Sequence, residues 1–340
     1  MKKLFSFFVL TIVVKISFCQ INFSDNLKVD YKSRKNYRYQ DCKINQITNT
    51  NGKVYVLGIF DSINSIYAKN IAVFDGLNWS RIDVGKEFTE GFYLTTFRNQ
   101  IYISGQWGST SGVKRLSSNG QWEFFGTGLT PGYSNNPILI GKDDNLQLKI
   151  YSMVNYKGDL ICGGELGPIG TLNSNLIKWN GSSWSELAHK NSYWSGKIKC
   201  MAEYNNILYI GGNFNNDSLA LLKWDGNQLI PIISHKTIND VTKMISFNNQ
   251  LYIGTKGGNG GLYIWNGFDF KKLVNYDIYD MKIVEDHLLF AYNTDDYVGI
   301  VDNSDKVTYQ KCYKENNQAG LDYFRGSIIT SYCSGCRAGR

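Results

Sequence analysis

The chain has 340 residues, of which 43% are hydrophobic and 14% aromatic, whereas only four are proline. This length fits one large β domain or two ordinary domains, and the scarcity of proline with many aromatic residues favours β-sheet. The formal net charge is +7, and it falls to +4 without Lys2, Lys3 and Lys15 of the N-terminal segment. A positive charge this small over so many residues gives no reason to expect nucleic acid as a partner.

Residues 1–19 are predicted to be a signal peptide. They begin with the basic pair Lys2-Lys3, continue with the apolar run 4–14, and end with the small residues Ser17 and Cys19 around a phenylalanine. Cleavage after Cys19 is expected, and lipidation of Cys19 is the alternative. No later segment is long and apolar enough for a membrane helix. We therefore expect a protein that is secreted or held at the cell surface, with no transmembrane segment in its mature chain.

One pattern recurs along almost the whole chain, and it is clearest in ILYIGGNFNNDSLALLKWDG at 207–226. It consists of an apolar strand, a small anchor residue, a loop, a second strand and a tight turn. The anchor positions, which lie 37 to 59 residues apart, are Gly58, Gly105, Gly164, Gly212, Thr255, Tyr292 and Ser331. A period of about 40–50 residues with several short strands in each unit indicates a β-propeller.

We therefore predict an all-β chain that folds as a single β-propeller with four-stranded antiparallel blades. Seven blades are expected, and six are the alternative if 319–340 is only a tail. The domain is expected to span 20–340, and residues 22–40 should complete the last blade and close the ring. The predicted repeats lie near 41–83, 90–125, 150–187, 198–233, 240–274, 278–310 and 321–340.

Each of the first five repeats continues from its anchor into a turn that contains Asp-Gly or Asn-Gly, whereas the sixth has only VDNSDKV at 301–307 and the seventh breaks off at the C-terminus. Both pairs tolerate positive φ, so the sequence predicts two-residue hairpins at these points. The small anchor residue is expected where one backbone packs closely on another. Trp79 and Trp184 follow two of the turns and are expected to fill the wedge between adjacent blades. The turn segments are FDGLNW (74–79), WNGSSW (179–184), WDGNQL (224–229) and WNGFDF (265–270).

Two sets of connections are predicted to emerge at opposite ends of the disc. Short turns such as 205–206 and 248–249 precede the anchored strands, whereas the connections after each anchor and between repeats are long and varied. Binding commonly uses varied loops on a rigid scaffold. The candidate contact residues on the long connections are Tyr67, Trp107, His189, Tyr193, Trp194, Phe214 and His235. The alternative for each of them is packing over the end of a blade.

Six cysteines remain after the signal peptide. Cys42, Cys312, Cys333 and Cys336 are predicted to cluster near the ring closure, where a disulfide would restrain the seam. Cys162 and Cys200 fall in strands of neighbouring repeats, and we expect no bridge between them.

No catalytic or metal-binding motif is recognisable. The sequence lacks GxSxG and HExxH, its aspartate fragments do not complete a calcium loop, and its three histidines lie far apart. A metal or acid–base pair of His189 and His235 is the alternative that we considered. We expect no metal and no cofactor.

The motif Tyr-Ile-Gly-Gly-Asn-Phe at 209–214, with Trp-Asp-Gly at 224–226, resembles repeats of secreted bacterial propeller proteins. These repeats are similar in style to kelch repeats and to Rax2-like cell-polarity propellers, and the resemblance spans about 44–310. It implies a secreted, non-enzymatic binding or cell-surface protein. We expect a monomer that acts as a binding or adhesion module for a protein or glycan. The alternative is an exported hydrolase or lyase acting on glycans, which would need paired carboxylates in one pocket.

Overall fold

The computed structural model describes residues 22–23, 28–30, 43–63, 65–108, 110–125, 139–140, 149–166, 175–188, 196–214, 221–232, 238, 240–292, 297–311, 321–324, 327–330 and 332–333. In these residues the regular structure is β-strand throughout. No helix of the described residues has the length and apolar character to cross a membrane.

The described strands are, in chain order, β1 (Asn22–Phe23), β2 (Lys28–Asp30), β3 (Lys43–Thr50), β4 (Lys53–Ile59), β5 (Ser62–Ile63), β6 (Ile66–Tyr67), β7 (Ile71–Phe74), β8 (Trp79–Arg81), β9 (Phe88–Phe97), β10 (Gln100–Trp107), β11 (Thr110–Leu116), β12 (Trp122–Phe124), β13 (Leu139–Ile140), β14 (Lys149–Tyr156), β15 (Asp159–Glu165), β16 (Leu176–Trp179), β17 (Trp184–Glu186), β18 (Gly196–Tyr204), β19 (Ile207–Phe214), β20 (Leu221–Trp224), β21 (Leu229–Ile232), β22 (Val241–Phe247), β23 (Gln250–Thr255), β24 (Gly261–Trp265), β25 (Phe270–Val274), β26 (Ile278–Val284), β27 (His287–Tyr292), β28 (Tyr297–Val301), β29 (Val307–Lys311), β30 (Leu321–Phe324), β31 (Ser327–Thr330) and β32 (Tyr332–Cys333).

Six antiparallel sheets of four strands form the blades of one β-propeller. Their strand orders are β3-β4-β7-β8, β9-β10-β11-β12, β14-β15-β16-β17, β18-β19-β20-β21, β22-β23-β24-β25 and β26-β27-β28-β29, which we call blades 1 to 6. The first strands of successive blades contact one another, so they lie innermost around the central axis. The short strand β13 adds to β11 of blade 2.

Among the residues that the structure describes, six blades are complete rather than the expected seven. Between blades 6 and 1 stands a smaller sheet in which β30 contacts both β26 and β3. Within the described residues this sheet has only the three strands β1, β31 and β30, and β1 joins β31 in parallel. Parallel pairing is incompatible with a four-stranded antiparallel blade.

The bounds of the signal peptide and of the domain stay predictions.

A one-residue β-bulge interrupts the innermost strand of every blade. The register against the second strand slips at the same place in all six sheets, and one residue of the inner strand is left without a partner. These residues are Asn45, Phe92, Tyr151, Lys199, Thr242 and Tyr279. A bulge bends its strand and changes the direction of the extra side chain.

The anchor glycines lie opposite these bulges. A Cβ atom added to Gly164 would lie 1.8 Å from the carbonyl oxygen of Lys149, and one added to Gly212 would lie 1.9 Å from that of Lys197. Neither distance is compatible with a side chain, so glycine is required at these two positions, whereas blades 5 and 6 have Thr255 and Tyr292 there. The expected close backbone packing at these two anchors is confirmed.

At the Asp-Gly and Asn-Gly turns a backbone hydrogen bond closes the loop across two residues, as from the N–H of Asp75 to the carbonyl of Asn78 at 3.2 Å. The two residues are Gly76 and Leu77, so the expectation of a two-residue loop holds but Asp-Gly is not its central pair. Four residues separate the paired Phe74 and Trp79, and Oδ1 of Asp75 accepts hydrogen bonds from the backbone N–H groups of Leu77 and Asn78, both at 2.8 Å. Asn180, Asp225 and Asn266 do the same in their own blades. In each of these turns the Asp or Asn side chain thus accepts hydrogen bonds from two backbone N–H groups of the loop.

The core lies between neighbouring blades. Trp184 of blade 3 is buried, packs on Phe125 and Trp179, and donates its indole N–H to the carbonyl of Phe125 at 3.2 Å. Because Phe125 follows β12, this tryptophan joins blade 3 to blade 2 as expected. Trp79 is only half-buried and stacks on Phe74 of its own blade, with ring centroids 5.1 Å apart.

Replacing Trp184 by alanine should lower the free energy of unfolding by about 3–5 kcal/mol, because the substitution leaves a large cavity between two blades. The matched control is Phe268→Ala in an exposed turn, where the ring is 93% exposed and its loss should change stability by no more than about 0.5 kcal/mol. Urea unfolding of both variants measures the difference. Equal losses of stability would contradict the packing described here.

Acid should weaken the four-residue turns. The pKa of Asp225 lies below its ordinary value because its carboxylate accepts hydrogen bonds from the backbone N–H groups of Gln228 and Asn227. A carboxyl group with a lower pKa in the folded protein stabilises it above its unfolded pKa of about 3.9, and this contribution is lost as the pH falls through the folded pKa. Asp225→Asn keeps the acceptor, as in Asn180, and should remove this part of the acid sensitivity.

The measurement is urea unfolding between about pH 2 and 6, together with an NMR titration of Asp225. Asp225→Ala is the control, because it removes the acceptor and should destabilise the protein at neutral pH as well. An Asp225 that titrates at the ordinary value would refute this reading of the turn.

Candidate ligand-binding site

The six bulge residues all line one cavity of about 470 Å³ at one end of the central channel. We call this cavity the mouth. Its lining residues lie near the beginning of each innermost strand, so the mouth opens at the end of the disc where the chain enters each new blade. Cavities of about 300–1,000 Å³ are typical of ligand sites. Six blades therefore each contribute a structurally equivalent side chain to one space.

A second cavity of about 460 Å³ continues the channel toward the other end of the innermost strands. Its lining includes Thr48, Thr96, Glu203 and Lys282. The two cavities adjoin, since both are lined by Gln46, Tyr93, Met201, Lys243, Met244 and Asp280.

Four lysine–carboxylate pairs connect adjacent blades around the mouth. They join blade 3 to 2, blade 4 to 3, blade 4 to the entrance of 5, and blade 5 to 6. The pairs are Lys149–Glu90 at 3.4 Å, Lys197–Glu165 at 3.0 Å, Lys199–Asp240 at 2.5 Å and Lys243–Asp280 at 2.7 Å. Asn45 of blade 1 adds a hydrogen bond from its amide nitrogen to Oε1 of Glu90 at 2.9 Å. The ring of pairs spans from blade 1 to blade 6.

Lys243 lies where the two cavities meet. Burial lowers the pKa of its ammonium group, but the charge and hydrogen bond of Asp280 together with the neighbouring Tyr93 and Cys200 raise it, so that the pKa is raised overall. Tyr93 lies beside this pair; burial raises the pKa of its hydroxyl, while Lys243 acts in the opposite direction. The boundary between the cavities thus carries a lysine that is held in its charged form.

Aromatic rings complete the mouth. Tyr151 meets Phe92 edge to face, with centroids 5.9 Å apart, and burial followed by the charges of Glu165 and Glu90 raises the pKa of the Tyr151 hydroxyl. Between blades 5 and 6, the Nζ atom of Lys256 lies 3.6 Å from the centroid of the half-exposed Tyr279 ring. The mouth therefore combines ring faces with charged hydrogen-bonding groups.

Two of the candidates from the sequence are buried, which corrects their expected exposure. Trp107 packs on Phe88 and donates its indole N–H to the carbonyl of Val84 at 3.0 Å. Phe214 lies in the core between blades 3 and 4. Both end the second strand of a blade, where an apolar side chain covers the blade core. Tyr67 is exposed, with the Arg81 guanidinium 5.6 Å from its ring centroid, and is not part of the mouth.

Other candidates lie outside the described residues. These are His189, Tyr193, Trp194, His235, Cys42, Cys312 and Cys336, and only the backbone of Cys333 is described. A disulfide among the four cysteines therefore stays a prediction.

Cys162 and Cys200 are buried free thiols, as expected. Burial raises the pKa of Cys200 to about 12. Among the side chains that the structure describes, no group of three or more His, Cys, Asp or Glu is placed to hold a metal ion.

The bulge residues were not singled out from the sequence, although a regular spacing identifies them. Each of the six lies 13 residues before the anchor of its repeat, as Tyr151 does before Gly164. The same offset from Ser331 gives Gln318, which is outside the described residues.

No known protein family and no curated protein matches the chain. Several solved structures are similar in fold. A streptogramin B lyase has a TM-score of 0.55 and 14% identity over 86% of this chain and 92% of that one. A catalytically inactive virginiamycin B lyase from Staphylococcus aureus, solved with quinupristin, has a TM-score of 0.55 and 13% identity over 87% and 92%. The extracellular domain of a hybrid two-component system from B. thetaiotaomicron has a TM-score of 0.56 and 11% identity over 87% and 37%. These similarities establish the class of protein, a single β-propeller, and nothing about its activity.

Removing the ammonium group that compensates Asp280 should destabilise the propeller. Lys243→Met should lower the free energy of unfolding by about 1–3 kcal/mol, the usual cost of leaving a buried charged group less well satisfied. The matched control is Lys178→Met. The Lys178–Asp159 pair, at 3.6 Å, is more exposed and should contribute no more than about 1 kcal/mol.

Urea unfolding of the two variants tests this difference. Adding Asp280→Leu to Lys243→Met should recover part of the loss, because an apolar pair needs no compensation. Two variants of equal stability would rule out a special role for the pair inside the channel.

Proposed function

We propose that this protein is an exported, non-enzymatic, monomeric propeller that binds a glycan or protein ligand at the mouth of its channel and acts as a binding or adhesion module. The observation that carries the proposal is the convergence of six equivalent bulges on one cavity. Each bulge gives up regular strand pairing, and bulges commonly redirect a side chain at a functional site. The export rests on the signal peptide expected at residues 1–19.

The side chains of the mouth are suited to recognition. Tyr151 and Tyr279 offer aromatic rings and Lys199 offers an ammonium group. Asn45 and Thr242 also line the cavity, but their side chains donate to Glu90 and to the carbonyl of Ile278. A site of this kind gains contact area from rigid aromatic rings and specificity from a few polar groups. Because each group comes from a different blade, the rigid ring of blades fixes their relative positions.

The carboxylates of the mouth favour binding over hydrolysis. A glycoside hydrolase needs one carboxyl group that stays protonated as the general acid and a second carboxylate beside it. Here Asp280 lines the mouth, and Glu90, Glu165 and Asp240 lie around it; each of the four contacts a lysine ammonium group instead. The glycan hydrolase or lyase is the alternative to be tested.

The proposal predicts that ligand binding depends on the mouth. A glycan array followed by calorimetry identifies a ligand, and the double variant Lys199→Ala with Tyr279→Ala should weaken its binding at least about tenfold, as loss of a central contact residue does. The control variant removes a lysine and an aromatic residue elsewhere, Lys178→Ala with Phe268→Ala, and should bind like the unmodified protein.

Binding that survives the mouth variant but is lost in the control would refute the proposed site. Chromatography of the ligand after prolonged incubation decides between the two functions. An unchanged ligand agrees with a binding module, whereas shortened or unsaturated products would establish the enzyme.

A further inference from the structure

The cations are the more accessible half of the ion pairs at the mouth. The side chain of Lys243 is 31% exposed against 11% for Asp280, and that of Lys149 is 21% exposed against 10% for Glu90. Lys197 and Lys199 are likewise more exposed than their partners. A molecule that enters the mouth therefore meets ammonium groups before it meets carboxylates.

The lysines keep hydrogen-bonding capacity for a ligand. An ammonium group has three N–H donors and no acceptor. Lys197, Lys199 and Lys243 each line the mouth, and each has its carboxylate on a neighbouring blade. The carboxylates hold the long side chains in place, so less conformational entropy is lost when a ligand binds. The geometry thus presents three preorganised cations to one cavity.

The ring faces lie in the same cavity as these cations. Tyr151 and Tyr279 line the mouth with Lys199, and Lys256 lies directly against the Tyr279 ring. A sugar ring has an apolar face that can pack on a tyrosine and an edge that carries oxygen acceptors. A peptide ligand instead depends on apolar anchors in well-packed apolar pockets. Charged and hydroxyl groups form much of the mouth, which favours a sugar.

We propose that the ligand of the mouth is an acidic glycan, whose sugar rings carry carboxylate or sulfate groups that accept hydrogen bonds from Lys197, Lys199 and Lys243. This inference rests on the proposed function and narrows its ligand class. The tyrosine rings hold the sugar faces, and the lysines select the anionic groups. Three lysines and the single carboxylate of Asp280 line the mouth, so its charge is positive and favours an anionic ligand.

The experiment is calorimetry of the full chain with three probes: a galacturonate trisaccharide, a sulfated disaccharide and a neutral maltotriose. We expect one of the two acidic probes to bind at least about tenfold more tightly than the neutral one, and this advantage should shrink as salt rises from about 50 to about 300 mM. Whichever acidic probe binds identifies carboxylate or sulfate as the recognised group.

The double variant Lys197→Gln with Lys199→Gln should weaken binding of the acidic probe at least about tenfold and leave binding of the neutral probe unchanged. Lys178→Gln, which breaks a lysine–aspartate pair outside the mouth, is the control and should bind normally. Equal binding of neutral and acidic probes, binding of none of them, or an acidic probe indifferent to the double variant would overturn the inference.

Two outcomes separate this inference from the proposed function. If polyglutamate binds through the lysines and no sugar does, the ligand is an acidic peptide and the mouth is still the site. If a neutral glycan binds and is lost in Lys199→Ala with Tyr279→Ala, the mouth is the site without anion selection. A ligand whose affinity is unchanged in both sets of variants would overturn both proposals.

Discussion

The fold depends on one repeated irregularity, the β-bulge in the innermost strand of each blade. At Gly164 and Gly212 the backbones approach so closely that no side chain fits between them. The bulge gives up one step of strand pairing, and in exchange its extra residue lines the central channel. Since the bulge recurs in all six blades, the same local geometry that shapes each sheet also builds the mouth.

The mouth and the ring of blades are stabilised by the same interactions. Lys199–Asp240 and Lys243–Asp280 join neighbouring blades and also place cations in the cavity. Lower in the disc, Tyr204 donates its hydroxyl to the carbonyl of Asn249 in the next blade at 2.8 Å. Because such contacts repeat around the axis, each blade fixes the position of its neighbour. A ligand that bridges several blades would therefore meet a site that needs little rearrangement.

Periodicity allowed the propeller to be predicted, but it did not allow the site to be predicted. The repeating anchor and the buried Trp184 follow from local pattern and apolar burial. The bulge could not be predicted in this way. A shift of one residue in the register moves the following side chains to the other face of the strand, so alternation alone does not show on which face Tyr151 lies. Trp107 was misassigned for a related reason: its position after an anchored strand suggested a loop, whereas β10 continues through it to cover the blade core. The blade count differs because the described part of the last repeat is divided between two sheets: β30 and β31 pair with β1, whereas β32 pairs with β2.

The claim that the bulges build a ligand site is tested most directly by lysine footprinting. The protein is acetylated with and without a saturating ligand, and the modified lysines are quantified by mass spectrometry. Bound ligand should protect Lys199 and Lys197 at the mouth, while Lys178 and Lys271 on other surfaces should react equally in both samples. Unchanged acetylation of Lys199 and Lys197 in the fully bound protein would contradict the claim.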